Sequence, residues 1–64
     1  MWLETYDKQL VNSKKIIYIR TNIEGCEYKI YLYAIGYTCK YKICESQEIA
    51  DAEMELLKII LRDE

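Results

Sequence analysis

The 64-residue chain predicts an α+β domain: an N-terminal β-hairpin, a three-stranded antiparallel meander and one C-terminal helix packed on one sheet face. Three observations predict it. Residues 15–44 are dense in β-branched and aromatic side chains, and Gly25 and Gly36 punctuate them. Residues 47–61 repeat apolar side chains at helical spacing behind Ser46. Residues 1–13 hold two short apolar stretches around a polar turn at Asp7-Lys8.

The N-terminal stretch reads as two short strands joined by that turn. Its pattern Met1-Trp2-Leu3, Thr5, Asp7, Leu10-Val11-Asn12 resembles the opening of many short uncharacterised proteins of Firmicutes and their phages. Those begin Met-Trp-Ile/Leu, then Thr, Asp-Gly and Leu-Val-Asn. They continue with strands and finish on one acidic helix behind a Ser or Thr cap. Lys8 stands where that family usually has glycine, so the first turn is expected to differ. The resemblance covers the start of the chain closely and the rest in outline. It brings no activity or catalytic residue with it.

Residues 15–23, 26–34 and 37–44 read as the three meander strands. Two-residue loops at Glu24-Gly25 and Ile35-Gly36 pair Ile19 with Ile30 and Ile30 with Tyr41. They also pair Ile17 with Leu32, Leu32 with Cys39, and Thr21 with Tyr28 and Ile43. One face is then mostly apolar: Ile17, Ile19, Tyr28, Ile30, Leu32, Cys39, Tyr41 and Ile43. The opposite face carries Ile16, Tyr18, Arg20, Lys29, Tyr31, Tyr33, Thr38, Lys40 and Lys42. Arg20, Lys29 and Lys42 fall in one row there, and Tyr18, Tyr31 and Lys40 in the next.

Ser46 is placed as the helix N-cap, followed by good helix formers. At about 100° per residue, Ala50, Met54, Leu57 and Leu61 form one stripe. Ile49, Ala52, Leu56, Ile59 and Ile60 widen the apolar arc to roughly 220°, more than one sheet face needs. The surplus, with Glu53 near its middle, is the candidate oligomer interface: Ile49, Ala52, Glu53, Leu56, Ile59 and Ile60. Glu53 either marks the rim between the two stripes or pairs with a cation of another copy. The alternative cover for the helix is the N-terminal segment.

Bulk properties narrow the function. A chain of 64 residues is one domain and marginal alone, which favours an oligomer, here a homodimer. There is no histidine, the commonest general base. Cys26, Cys39 and Cys44 form no C-x-x-C pair, so neither a metal site nor a cofactor is expected. Their odd number and an opening without a secretory pattern imply free thiols in a reducing, cytoplasmic setting. On a regular strand Cys39 and Cys44 point to opposite faces and cannot act together. The two glycines make no phosphate-binding loop. No apolar run is long enough to span a membrane, and a net charge of −2 does not suit a protein that coats duplex DNA. The chain is not expected to be an enzyme.

Five of the seven tyrosines lie in residues 28–44, and there is no phenylalanine. A half-wet sheet face favours a ring with a polar tip. The candidate binding face is therefore Tyr18, Arg20, Lys29, Tyr31, Tyr33, Lys40 and Lys42. Three functions follow. The resemblance and the small size imply a phage or mobile-element interaction protein that occludes a host protein, as an anti-defence or regulatory inhibitor. The Tyr/Lys face alternatively suits a nucleotide or single-stranded nucleic acid. The third reading is a small structural homodimer.

Overall fold

The computed structural model describes residues 1–62. In chain order the elements are β1 (Trp2–Glu4), β2 (Leu10–Asn12), a 3₁₀ turn (Ser13–Lys15), β3 (Ile16–Glu24), β4 (Glu27–Ala34), β5 (Tyr37–Cys44) and α1 (Gln47–Arg62). β1 and β2 pair as a hairpin of their own, and β3, β4 and β5 form an antiparallel meander with β4 in the middle. α1 packs on one face of that meander, as the sequence predicts.

The core sits between β4 and the helix. Ile30 and Leu32 of β4 have no exposed surface, and Ala50 and Leu57 of α1 close over them. Leu3 of β1 and Cys44 of β5 complete the cluster, with Ile16, Ile19, Tyr28, Cys39, Tyr41, Met54 and Ile60 packed around it. Each large aliphatic side chain buried this way contributes about 1.5–3 kcal/mol. The helix starts where Ser46 caps it: the Ser46 Oγ accepts from the Ile49 N–H at 3.3 Å. The Ser46 carbonyl takes the Ala50 N–H at 3.1 Å.

The second hairpin turn is Ile35-Gly36, as predicted, with Ala34 opposite Tyr37. The first is one residue later than predicted: Gly25-Cys26, with Glu24 opposite Glu27. The reason is conformational. Gly25 has φ +63°, and glycine at the first loop position with positive φ marks a type II′ turn, whose twist suits a hairpin. The shift moves the register by two residues, so Ile19 faces Leu32 rather than Ile30, and Thr21 faces Ile30. A two-residue shift leaves every side chain on its predicted face.

Two bulges do change faces. Ile17 is the extra residue between the pairs Ile16↔Ala34 and Tyr18↔Tyr33. It is therefore 64% exposed, and Ile16 takes its place against the core. Tyr41 is the extra residue between Ile30↔Lys42 and Tyr31↔Lys40. Beyond it the alternation of β5 is inverted: Cys44 is buried and Ile43 stands opposite Lys29. Ile17 and Ile43 are thus not the core residues that regular alternation makes them.

The N-terminal hairpin buries Leu3 and Val11 and turns Trp2 and Leu10 outward. Its loop is tied by Thr5, whose N–H donates to the Gln9 carbonyl at 2.8 Å and whose Oγ1 accepts from the Gln9 N–H at 3.1 Å. Lys8 adopts φ +67°, alone among the non-glycine residues described. The hairpin is held to the meander by the Tyr6 N–H, which donates to the Lys40 carbonyl at 3.0 Å. Asn12 caps the following 3₁₀ turn through Oδ1, 3.1 Å from the Lys14 nitrogen.

Left-handed backbone costs a residue with a Cβ about 1–2 kcal/mol, partly offset by the entropy glycine adds to the unfolded chain. Lys8→Gly is expected to raise unfolding free energy by about 0.5–1 kcal/mol, read from the urea midpoint at unchanged slope. A lower midpoint would show that Lys8 is not held at positive φ.

Candidate functional site

The face of the meander opposite α1 is built from alternate residues of three strands. β3 supplies Tyr18, Arg20, Asn22 and Glu24; β4 supplies Glu27, Lys29, Tyr31 and Tyr33; β5 supplies Thr38, Lys40 and, past its bulge, Ile43. Tyr18 and Tyr33 are directly opposite and stack, with ring centroids 4.3 Å apart and planes 7° from parallel. Such cross-strand aromatic pairs contribute roughly 0.2–1 kcal/mol. Arg20 is opposite Tyr31, and Tyr31 is opposite Lys40.

The structure brings together six of the seven residues expected on this face: Tyr18, Arg20, Lys29, Tyr31, Tyr33 and Lys40. Lys42 is the exception. The Tyr41 bulge turns it to the helix side, where its Nζ lies 3.0 Å from Glu53 Oε2 and 5.4 Å from the centre of the Tyr41 ring. The expected row Arg20–Lys29–Lys42 does not form. Its members are dispersed into Asn22–Lys29–Ile43 and Arg20–Tyr31–Lys40, which relieves the like-charge contact.

The remaining lysines of the face have partners within the chain. Lys29 Nζ lies 3.1 Å from Glu24 Oε1 and 3.9 Å from Glu27 Oε1, between two carboxylates that the hairpin register sets opposite each other. Tyr31 Oη donates to Glu24 Oε2 at 3.3 Å. Lys29 thereby holds the Glu24 carboxyl below its ordinary value, and Glu24 holds the Lys29 ammonium above its own. Desolvation raises the Tyr31 hydroxyl. Lys40 Nζ stands 5.2 Å from the centre of the Tyr6 ring. Arg20 is exposed, with no hydrogen bond or ion pair among the described residues. Sequence reasoning missed Glu24 and Tyr6 as parts of this surface. The Glu24 signal is its place beside a glycine at a hairpin end; nothing in the sequence marks Tyr6.

The second candidate surface is the outer face of α1. Ile49, Leu56 and Ile59 are half or more exposed, and Ala52 is exposed beside them. Ile60 belongs instead to the sheet-facing side and packs on the core. Glu53 marks the rim and pairs with Lys42 of its own chain, so pairing with another copy is not needed to satisfy it.

Cys26 is exposed, Cys39 half-buried and Cys44 buried, all three as free thiols. Burial pushes the Cys39 and Cys44 thiols up, away from the thiolate that nucleophilic chemistry requires. Because of the Tyr41 bulge both lie on the core side, contrary to the alternation expected. Among the described residues no group of His, Cys, Asp or Glu side chains is placed to hold a metal ion. No described helix is long and apolar enough to cross a membrane. A groove of about 480 Å³ runs between the N-terminal hairpin and β5, lined by Glu4, Thr5, Tyr6, Lys8, Tyr41 and Lys42. No family model, curated protein or solved structure matches the chain.

The Glu24–Lys29 pair gives stability a pH dependence. The folded state depresses the Glu24 pKa, so its contribution is present above the ordinary value of 4.5 and is lost as pH falls through the depressed one. The Lys29 pKa is raised, so its share is present below 10.5 and is lost as pH rises through the raised value. Glu24→Gln is expected to flatten the acid limb of a stability–pH curve below about pH 4.5. An unchanged acid limb would show that the pair does not hold in solution.

Proposed function

We propose that the chain is a non-enzymatic interaction protein that acts by stoichiometric binding to another protein through the open sheet face. One observation carries this reading. The face presents the Tyr18–Tyr33 stack, Tyr31 and an unpartnered Arg20, while Lys29 is neutralised by Glu24 and Glu27. Tyrosine and arginine are the residue types that anchor protein interfaces. The same ion pairs weigh against a nucleotide or single-stranded nucleic acid, which needs free cations along its phosphates and a ring face open for each base. Lys42, on the helix side, adds none. The resemblance of the N-terminal stretch to small Firmicute and phage proteins supports a target in the cytoplasm of a bacterial host. Occlusion of that target, as an anti-defence or regulatory inhibitor, is the mode of action that suits so small a chain.

A second reading, self-association, is favoured by a different observation. Apolar surface is left over once the core is complete, on α1 at Ile49, Leu56 and Ile59 and on β3 at Ile23, 66% exposed. A domain of this size gains stability from covering such surface.

The test is capture from a bacterial lysate by the chain and by an Arg20→Ala/Tyr31→Ala variant, beside titration of a fluorescent oligonucleotide. One protein retained in equimolar amount, with affinity about 30-fold weaker for the variant, is the expected result. Oligonucleotide binding that vanishes at high salt, with no protein retained, would contradict it.

A further inference from the structure

We infer that two copies of the chain join edge to edge through β3, with their Thr21 residues paired across a two-fold axis. This deepens the self-association reading and rests on it. The two edges of the meander are treated differently. The β5 edge is partly covered: the Lys40 carbonyl, which points away from β4, takes the Tyr6 N–H at 3.0 Å. That edge also carries Lys40 and Lys42, and lysine on an edge discourages strand pairing. β3 has neither lysine nor proline; its Ile16 N–H donates to the Ser13 carbonyl, but from Tyr18 to Glu24 no backbone group beyond β4 bonds to it among the described residues.

The register of the pairing follows from the ladder. Glu24 and Glu27 close a two-residue loop and so form a hydrogen-bonded pair. Alternation then turns the backbone N–H and C=O groups of Ile19, Thr21 and Ile23 outward. The unbulged run of β3 extends from Tyr18, after the extra Ile17, to Glu24, before the turn. Its midpoint is Thr21, one of the outward-facing residues. An antiparallel pair centred there satisfies every outward group of Ile19, Thr21 and Ile23.

Side chains agree with that register. Ile23 meets Ile19 of the second copy, covering an isoleucine that is 66% exposed. Tyr18 stands opposite Glu24 and Arg20 opposite Asn22; Glu24 of the second copy is diagonal to the guanidinium on one side and Arg20 of the second copy on the other. Centring the pair on Arg20 instead sets the two guanidinium groups directly opposite each other, where like charges cost most, and offers inward-facing backbone. The α1 stripe has no comparable self-complementarity. Its backbone groups are taken up within the helix, so a helix pair has only Ile49, Leu56 and Ile59 to cover and no ladder to set its register. A groove of about 210 Å³, lined by Thr21, Ile23, Tyr28, Gln47, Ala50 and Asp51, lies beside the two-fold position.

The experiment is sedimentation of the full chain across a dilution series, with amide hydrogen exchange followed at the same concentrations. The expected result is a dimer in which the Ile19, Thr21 and Ile23 amides gain protection as concentration rises. Arg20→Glu is expected to raise the dissociation constant about tenfold, and Arg20→Glu/Glu24→Arg to restore it. A monomer at every concentration would overturn self-association as a whole. A dimer that Leu56→Lys weakens and Arg20→Glu does not would leave self-association standing and overturn the β3 pairing.

Discussion

The burial of Ile30 and Leu32 beneath Ala50 and Leu57 is the contact on which the rest of the structure depends. β4 is the middle strand, so its backbone is satisfied on both sides and its even-numbered residues have one apolar place to go. Once they are under the helix, Lys29, Tyr31 and Tyr33 must face the other way. The same alternation sends Ile19 and Cys39 inward from the neighbouring strands and leaves Tyr18, Arg20 and Lys40 outward.

The two bulges decide what happens at the ends of the edge strands. At Ile17 one extra residue exchanges an exposed isoleucine for Ile16 in the core. At Tyr41 one extra residue buries Cys44 and turns Lys42 to Glu53 on α1. The helix therefore acquires a charged contact at the rim of its apolar face, and the sheet's open face loses a cation. Only Arg20 of the expected cationic row is left without a partner among the described residues, which is why we propose protein contact rather than anion recognition for that surface.

The architecture was legible because each layer has its own period. Apolar residues alternate through β3–β5 and recur at helical spacing after Ser46, and both patterns place Ile30, Leu32, Ala50 and Leu57 inside. The bulges were not legible, since they add a residue without any glycine or proline to mark it. Regular alternation consequently misplaces Ile17, Lys42, Ile43 and Cys44. The Gly25 turn was located to within one residue; its φ, which selects a type II′ loop, is not written in the dipeptide alone. Lys8 was legible as an oddity in its turn, and its left-handed backbone is the structural counterpart. Most of the candidate face was legible from the spacing of its tyrosines. The pairing of Glu24 with Lys29 and Tyr31 was not, because it depends on the true register.

The face assignment is tested most directly through the cysteines, because one strand carries two of them on either side of a bulge. Pulse alkylation of the native protein, followed by mass spectrometry, reads each thiol separately. Cys26 is exposed, whereas Cys44 is buried with its thiol pushed up. Rapid labelling of Cys26, slower labelling of Cys39, and labelling of Cys44 only on the timescale of unfolding are expected. Labelling of Cys44 as fast as Cys26 would mean that β5 alternates regularly, that Lys42 joins the open face, and that the surfaces described here are wrongly assigned.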